Sequence, residues 1–271
     1  MIFNPTIDCP CQKNSLTEII TFSAPPKCET RFNIRPEVYN RTYEQCLICG
    51  HCFSNHSIDL SNLYTSEYVN NTYGGIQGMK SRFDQIMALP EASSDNKKRI
   101  SRINGYISRL NYGSLRLLDI GSGIGVFPYS MKENSWEVTC TETDIRTVDM
   151  LRYDLGLTVY QESIFELKSD DIGKFNLITL NKVLEHIENP ASFLTKVIDF
   201  LYDDGIIYIE VPDQEASSDS YQRPEFCIEH HHVFSVSSTS LLAKVVDLKI
   251  LELASYRDPS GKFTISAFLG K

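Results

Sequence analysis

Basic residues are in the minority in this sequence of 271 residues. Lysine and arginine total 26 against 35 aspartates and glutamates, which gives a formal net charge of −9. The pI is near 5.2. Because nucleic-acid-binding proteins usually carry basic surfaces, this balance disfavours a polyanionic partner, although a local site could still hold a small anion. We therefore expect no nucleic-acid partner.

Long apolar runs are missing as well. Residues 1–6 lack the basic stretch and apolar run of a signal peptide, and no later segment approaches the length of a membrane span. We expect a cytoplasmic protein with no membrane partner. Hydrophobic content of 42% and charged content of 23% are close to ordinary globular usage, so the chain can bury a core. Its length suits one large domain, or a standard domain with a smaller appendage.

Cysteine is unevenly distributed. Two of the eight cysteines, Cys140 and Cys227, stand alone, while the others fall in the first fifth of the chain. In a reducing compartment such residues are expected to be thiols or metal ligands rather than disulfides. They predict a small Cys-rich module over residues 1–62, which needs something besides an apolar core. Its cysteines are Cys9, Cys11, Cys28, Cys46, Cys49 and Cys52.

Tetrahedral zinc on thiolates is the usual solution for such a module. Cys46 and Cys49 are separated by two residues and followed by Gly50, a spacing that lets both sulfurs face one ion. Cys9 and Cys11 are separated by one residue, which is less regular, and either of the other two N-terminal cysteines could replace one of them. We predict Zn²⁺ on these two pairs. A set of reduced, buried cysteines without a metal is the alternative.

Residues 63–114 are interpreted as a helical bridge. Tyr64, Tyr68 and Tyr73 lie in an aromatic, turn-rich stretch and could cover the cofactor or substrate, or pack between modules. Residues 97–110 have apolar side chains three or four positions apart, which predicts an amphipathic helix. We expect its basic residues to form a solvated face.

Apolar strands and helices alternate over residues 115–271, which predicts an α/β domain with a parallel sheet covered on both faces. Strands are predicted at residues 115–120, 136–141, 175–180 and 205–211, with an apolar helical face at 193–201. The tail, residues 250–256 and 263–269 joined through Pro259-Ser260-Gly261, predicts a closing antiparallel hairpin.

A glycine-rich turn follows the first of these strands, where it can let a ligand approach the backbone. Nicotinamide and flavin enzymes share this arrangement, so the turn alone does not identify the cofactor. Glu142 ends the next strand about 20 residues later, where a carboxylate can accept from both hydroxyls of a ribose; a solvated carboxylate is the alternative. The loop residues are Asp119, Gly121, Ser122, Gly123 and Gly125.

These features resemble successive motifs of the class I S-adenosylmethionine-dependent methyltransferases, which have a Rossmann-like fold. The resemblance covers nearly the whole chain, and it is carried by the glycine loop, Glu142, residues 175–178 and residues 183–190. The N-terminal cysteines and the stretch with Tyr64 and Tyr68 are similar to the subgroup with an N-terminal zinc-binding domain. That subgroup includes deoxysugar C-methyltransferases.

The resemblance implies cofactor contacts in four places. Gly121, Ser122 and Gly123 would wrap the amino-acid portion and ribose, and Glu142 would hold the ribose hydroxyls. Two further pairs would complete the site: Ser163 and Ile164 beside the adenine, and Asn181 and Lys182 beside the methionine moiety. This sequence has Ser163 where the family often has an aspartate, so Glu162 could accept from the adenine amino group instead.

Methyl transfer needs alignment and, for many acceptors, a base. Residues 229–235 follow the fourth strand and resemble the Glu-His stretch of the sugar C-methyltransferases. We predict His230 as the base, because an unperturbed histidine titrates near working pH. Glu229 would orient it or a substrate hydroxyl, and His186 would add a second polar group. His186 could instead brace its own segment, and the three adjacent histidines could be a surface feature or an adventitious metal site.

The sequence thus predicts an S-adenosylmethionine-dependent methyltransferase acting on a small molecule, such as a nucleotide-activated sugar or a glycan or natural-product precursor. Carbon methylation is implied by the resemblance, and oxygen or nitrogen methylation stays open, as does the oligomeric state. A non-enzymatic scaffold that binds S-adenosylmethionine and docks a partner through a zinc module is the main alternative. A nicotinamide dehydrogenase is a third.

Overall fold

A computed structural model of the chain describes residues 9–30, 32, 34, 36–58, 68–110, 112 and 115–271. Tyr64 and the side chain of Tyr68 lie outside this part of the chain, so their predicted role as a cover stays a prediction. Tyr73 is described, and it packs against an apolar cluster that includes Met79, Phe83 and Ile124. The end of the first helix is therefore close to the glycine loop.

The strands of the described residues fall into two sheets. In chain order they are β1 (Leu16–Phe22), β2 (Arg41–Cys46), β3 (Cys52–His56), β4 (Arg116–Ile120), β5 (Glu137–Thr141), β6 (Thr158–Tyr160), β7 (Phe175–Asn181), β8 (Leu201–Pro212), β9 (His232–Val233), β10 (Lys249–Arg257) and β11 (Phe263–Gly270).

Three of the described helices precede the larger sheet in the sequence, and the others lie between its strands. In chain order they are α1 (Tyr68–Tyr73), α2 (Ile76–Met87), α3 (Asp95–Ile107), α4 (Val126–Glu133), α5 (Ile145–Asp149), continued by a π-helical turn at Met150–Asp154, α6 (Ser169–Ile172), α7 (Pro190–Ile198) and α8 (Val236–Val245). Short 3₁₀ turns occur at Pro36–Val38, Glu91–Ser93, Leu184–His186, Gln214–Ser218 and Pro224–Phe226. None of the described helices has the length and apolarity needed to cross a bilayer.

The larger sheet has the strand order β10-β11-β8-β7-β4-β5-β6. Strands β6, β5, β4, β7 and β8 are parallel, whereas β11 runs antiparallel to β8 and β10 antiparallel to β11. The predicted Rossmann-like sheet with a closing hairpin is confirmed. The connections from β4 leave in one direction to β5 and from β7 in the other to β8, so the carboxyl end of β4 lies at the topological switch point.

The parallel strands are buried on both faces. Leu118 and Ile178 face a core shared with α7 and α8, while Leu117 and Leu177 face a second core shared with α3 and α4. Side chains alternate across a strand, so helices on both sides leave these strands almost continuously apolar.

Helix α3 matches the predicted amphipathic helix, and the side chain of Ser94 caps its first turn. The expectation of a solvated basic face is wrong for Arg99 and Arg102. Both guanidinium groups bind the carboxylate of Glu210, with nitrogen–oxygen distances of 2.5 and 3.0 Å. Burial alone would raise the pKa of Glu210, but the charge and hydrogen bonds of Arg99, with the charge of Lys182 and the hydroxyl of Tyr208, together lower the pKa to about 2.

The smaller sheet has the strand order β1-β2-β3-β9. Cys52 pairs with Val233, and Phe53 pairs with His232. The N-terminal residues therefore do not form their sheet alone, because β9 comes from the region after residue 115. An aromatic core that includes Tyr43 and Phe226 joins the two parts of the chain.

Candidate active site

The glycine loop, residues 119–125, leaves β4 and enters α4. Gly121, Gly123 and Gly125 all have positive φ, at 70°, 51° and 82°. A Cβ on Gly125 would lie 2.4 Å from Leu151 Cδ2, and one on Gly121 would lie 3.0 Å from Val183 Cγ2. A Cβ on Gly123 would meet no atom within 4 Å. Gly125 and Gly121 thus allow close packing within the protein, whereas Gly123 faces open space.

Glu142 follows β5 and is tied to the glycine loop. Its carboxylate accepts from the backbone N–H of Gly123 at 2.9 Å and of Thr143 at 2.8 Å. Burial raises the pKa of Glu142, and these N–H groups oppose the shift. Each carboxylate oxygen has two lone pairs, so both oxygens can accept a further hydrogen bond from a ligand.

Asp119, at the start of the glycine loop, holds the loop in place through hydrogen bonds. Its buried carboxylate accepts from Thr179 Oγ1 at 2.6 Å and from Asn181 Nδ2 at 3.1 Å, which joins the ends of β4 and β7. Burial raises the pKa of Asp119 to about 6. Ser122 Oγ donates to the carbonyl of Asp119 at 2.9 Å. The structure thus places Asp119 beneath the loop, where it fixes the loop's shape.

The two residues predicted to lie beside the methionine moiety, Asn181 and Lys182, have different surroundings. Asn181 Oδ1 is buried without a hydrogen-bond partner among the described residues, at the end of β7. Lys182 has a φ of 61°, and its ammonium group donates to Thr264 Oγ1 of β11 at 2.7 Å. The side chain of Lys182 is therefore held by the hairpin.

The predicted adenine border follows β6. Ile164 is buried, and the backbone N–H of Ser163 donates to Glu166 Oε2 at 3.1 Å. Glu162 is exposed. The parallel pairing of β5 with β6 places this turn at the same sheet edge as Glu142.

The histidine loop, residues 225–231, brings His230 against His186. Their ring centroids are 4.9 Å apart in an edge-to-face arrangement. His230 Nδ1 lies 2.8 Å from the carbonyl oxygen of Glu225, and His186 Nδ1 lies 2.9 Å from that of Glu229. A carbonyl oxygen only accepts, so each Nδ1 carries a proton and each neutral ring has an unprotonated Nε2. Burial lowers the pKa of both histidines, which favours this neutral form.

Glu185 is a site residue to which the sequence analysis gave no role. It is buried, and its Oε2 has no hydrogen-bond partner among the described residues. Burial raises its pKa to about 7. One donor atom from each of Glu185, His186 and His230 lies within 4.8 Å of the other two. This group can bind substrate hydroxyls, and two histidines with one carboxylate are also a donor set for a divalent cation.

The adjacent histidines serve separate purposes. His232 is buried and lies in a chain of hydrogen bonds: its Nδ1 is 3.0 Å from His51 Nε2, and its Nε2 is 3.3 Å from the carbonyl oxygen of Glu188. The surface interpretation is wrong for His232. His51 continues the chain to Ser238 Oγ at 3.0 Å, which links β3 to α8.

Four cysteines come together at the end of β2. The sulfurs of Cys9 and Cys11 are 3.3 Å apart, those of Cys9 and Cys49 3.4 Å, and those of Cys11 and Cys46 3.5 Å. Tetrahedral zinc with Zn–S bonds of about 2.3 Å places sulfurs about 3.8 Å apart, so the donor set suits the ion. These are the four cysteines predicted as ligands.

The alternative ligands lie elsewhere. Cys28 Sγ donates to the carbonyl of Gln222 at 2.9 Å, and Cys52 Sγ contacts the carbonyl of Gly50 at 3.7 Å. The four-cysteine cluster is therefore assembled without them.

The parallel core, the glycine loop at the switch point and Glu142 define a Rossmann-like α/β protein. Residues 83–253 match a family described as a methyltransferase domain. This match covers more than half of the chain, and the chain belongs to that family. The predicted methyltransferase membership is confirmed, and it sets the dehydrogenase alternative aside.

Curated relatives match over a shorter stretch. A ubiquinone biosynthesis O-methyltransferase of Caulobacter vibrioides is 29% identical over 107 residues, which is 38% of this chain and 42% of the relative. Its counterpart from Rickettsia typhi is 25% identical over 100 residues, 35% of this chain and 40% of the relative. The chain spans less than half the length of these relatives.

Solved structures share the fold at low identity. The magnesium protoporphyrin IX methyltransferase of Synechocystis, with S-adenosylhomocysteine bound, has a TM-score of 0.58 and 11% identity and covers 78% of this chain and 99% of its own. The 1,6-didemethyltoxoflavin-N1-methyltransferase of Burkholderia thailandensis has a TM-score of 0.53 and 13% identity, covering 90% and 99%. At such identities the likeness shows the fold.

Proposed function

We propose that this protein transfers the methyl group of S-adenosylmethionine to a small molecule. The observation that carries the proposal is the open space at Gly123, bounded by the Glu142 carboxylate, which is fixed to the loop at 2.9 Å. Relatives and structural neighbours named as methyltransferases support this use of the site.

The residues present fit the cofactor. Asn181 Oδ1 is a buried acceptor without a partner among the described residues, and an ammonium group such as that of a methionine moiety would satisfy it. Glu142 would hold the ribose hydroxyls, and Ser163 with Ile164 would border the adenine. When bound, the cofactor supplies an activated methyl group on a sulfonium. The chain's residues align the acceptor with that group.

His230 is the proposed general base. When an acceptor atom takes the methyl group, it loses its proton to His230 Nε2. The ring then carries a positive charge, and its Nδ1–H still donates to the Glu225 carbonyl at 2.8 Å. His186 and Glu185 would bind neighbouring substrate hydroxyls, and Glu229 would help to orient them. Burial lowers the pKa of His230, so, contrary to the expectation from the sequence, the ring does not titrate near working pH. The neutral ring keeps a free lone pair on Nε2, which takes the proton from the acceptor as the methyl group is transferred.

Two features indicate the substrate class. A nucleotide-activated sugar or a related precursor in the cytoplasm is favoured by the resemblance of Glu229-His230 to sugar C-methyltransferases, and the polar group around His230 suits a hydroxylated acceptor. Methylation at carbon or at oxygen fits equally. We also propose that the four-cysteine cluster binds structural Zn²⁺, which its donor set and sulfur spacing support.

Calorimetry with S-adenosylhomocysteine tests the proposed cofactor. We expect micromolar affinity for the wild-type protein and no binding for the double variant Glu142→Ala, Gly123→Arg, because the arginine fills the open space. Absence of binding to the wild-type protein would reject the function. Transfer of a labelled methyl group into candidate metabolite extracts would then identify the acceptor.

A scaffold that binds the cofactor without using it is the second candidate. The observation in its favour is an exposed apolar pair in the cysteine knuckle: Leu47 is 69% exposed and Ile48 is 61% exposed, which suits contact with a partner. Cofactor binding without transfer to any extract would favour this candidate.

A further inference from the structure

The histidine loop is hydrogen-bonded along its length to the N-terminal region, through Arg41 and Tyr43 of β2 and through Glu29, which precedes β2. Arg41 Nη1 donates to the carbonyl of Phe226 at 2.7 Å. The backbone N–H of Ile228 donates to Glu29 Oε2 at 2.8 Å. Tyr43 Oη lies 3.2 Å from the carbonyl oxygens of both Cys227 and His230.

These contacts are made by buried groups. The Arg41 guanidinium binds Glu29 at 3.0 Å, and both side chains are buried. The guanidinium also lies over the ring of Phe22, 4.8 Å from its centroid. Planar guanidinium groups can serve a carboxylate and a carbonyl together, which the single ammonium of lysine does less well. We call Glu29, Arg41 and Tyr43 the clamp.

The clamp holds the loop where the hairpin does not. At the start of the loop, the carboxylate of Glu225 accepts from the backbone N–H of Phe263 at 2.7 Å and binds Arg223 at 3.0 Å. From Phe226 onward, the loop is hydrogen-bonded to the clamp, and the last of these bonds is to the carbonyl of His230. The bond from His230 Nδ1 to the Glu225 carbonyl therefore joins one residue fixed by the hairpin to one fixed by the clamp.

We propose that the N-terminal strands are a positioning device for the histidine loop, and that Arg41 and Tyr43 are positioning residues that set the tautomer and the place of His230. The proposal rests on the proposed function for its catalytic meaning, although the position of His230 can be measured without it. The clamp shares no residue with the glycine loop or Glu142. Its loss should therefore slow transfer and leave cofactor binding intact.

Two variants weaken the clamp without removing a large side chain. Tyr43→Phe removes only the hydroxyl that reaches Cys227 and His230, and Arg41→Lys keeps the positive charge beside Glu29. Two controls lose a similar bond elsewhere. Tyr112→Phe removes a hydroxyl that donates to the Asp204 carbonyl at 2.6 Å, and Arg116→Lys removes a guanidinium that donates to the Lys174 carbonyl at 2.7 Å.

Nitrogen NMR of isotopically labelled histidine reads the ring directly. The chain has six histidines, and the His230 signals are those that disappear in His230→Gln. We expect the Nδ1–H form in the wild-type protein and in both controls, and a shifted or mixed tautomer in the clamp variants. Transfer of labelled methyl from S-adenosylmethionine into a metabolite extract should fall at least tenfold in kcat, while affinity for S-adenosylhomocysteine stays within twofold.

The outcomes separate this inference from the proposed function. If His230 signals and kcat are unchanged in both clamp variants, the positioning role is overturned. If the wild-type protein does not bind S-adenosylhomocysteine, the proposed function fails, while the NMR comparison still decides whether the clamp sets His230. Should Arg41→Lys fail to fold, Tyr43→Phe alone decides, because it removes one oxygen from a packed ring.

Discussion

The glycine loop and the histidine loop are held by partners at very different distances along the chain. Gly123 is hydrogen-bonded to Glu142, which is 19 residues away along the chain. Phe226 is hydrogen-bonded to Arg41, which is 185 residues away, and Ile228 is hydrogen-bonded to Glu29, which is 199 residues away. The proposed cofactor side is thus built from neighbouring strands, whereas the proposed chemical side depends on the N-terminal sheet. This difference predicts that damage to the two sides can be separated.

The largest effect is expected from His230→Ala. Removing a general base typically slows transfer by about 10²–10⁴-fold. Affinity for S-adenosylhomocysteine should not change, since no described contact joins His230 to the glycine loop. Single-turnover transfer of labelled methyl, together with calorimetry, measures both quantities. Equal loss of affinity and rate would mean that the two sides are not separable.

Acid should lower the free energy of unfolding of the larger sheet, to which the glycine loop is attached. The pKa of Glu210 is lowered from 4.5 to about 2, against the effect of burial, by Arg99 together with Lys182 and Tyr208. A depressed carboxyl pKa stabilises the fold above the unfolded-state value, so this contribution is lost as pH falls from 4.5 through 2. It amounts to on the order of 3 kcal/mol.

The single tryptophan makes this measurable. Trp136 is buried in the same core as Ile103 and Ile107 of α3, so its fluorescence reports on acid unfolding. In Glu210→Gln the dependence between these pH values should be much reduced. An unchanged dependence would contradict the role of Glu210.

Glu142→Ala is the next test. Loss of hydrogen bonds to a charged group costs about 1.5–3 kcal/mol, so affinity for S-adenosylhomocysteine should weaken by about one to two orders of magnitude. The His230 NMR signals should stay as in the wild-type protein. Glu137→Ala, at the other end of β5, is a matched control that should bind normally.

The smallest effect is expected from Gly125→Ala. The new Cβ would lie 2.4 Å from Leu151 Cδ2 at a φ of 82°. Such crowding typically costs about 1–3 kcal/mol of folding stability. Because the methyl group faces Leu151 and not the open side of the loop, cofactor affinity should change little. Thermal unfolding and calorimetry distinguish this result from a direct loss of binding.

Sequence reasoning succeeded where spacing along the chain determines proximity in space. The strand before Gly121, the glycine turn and Glu142 lie within one βαβ unit, so their juxtaposition follows from the parallel sheet. The pairing of Cys46 with Cys49 had a similar basis, since zinc knuckles have a recurring spacing.

The sequence did not predict contacts between residues that are far apart along the chain, when residues of that type are also common on solvent-exposed surfaces. Arg99 and Arg102 look like solvated helix residues, and nothing in the sequence pairs them with Glu210, 111 and 108 residues later. Arg41 likewise has no local signal. Glu185 stood within a recognised motif, but its buried, unbonded oxygen becomes visible only when the surrounding elements are placed.

Strand β9 has only two residues, yet it joins the N-terminal sheet to the segment that follows the histidine loop, so that the two parts of the chain share one core. A chain shortened to begin at residue 68 would uncover Phe226, Ile228 and Val233, which now lie in the shared core, and would leave a self-associating surface. For the same reason, replacing the N-terminal sheet with one from another protein would require residues 225–233 to be exchanged with it. An exchange between this chain and a related protein would therefore keep the shared core packed only if both stretches were exchanged together.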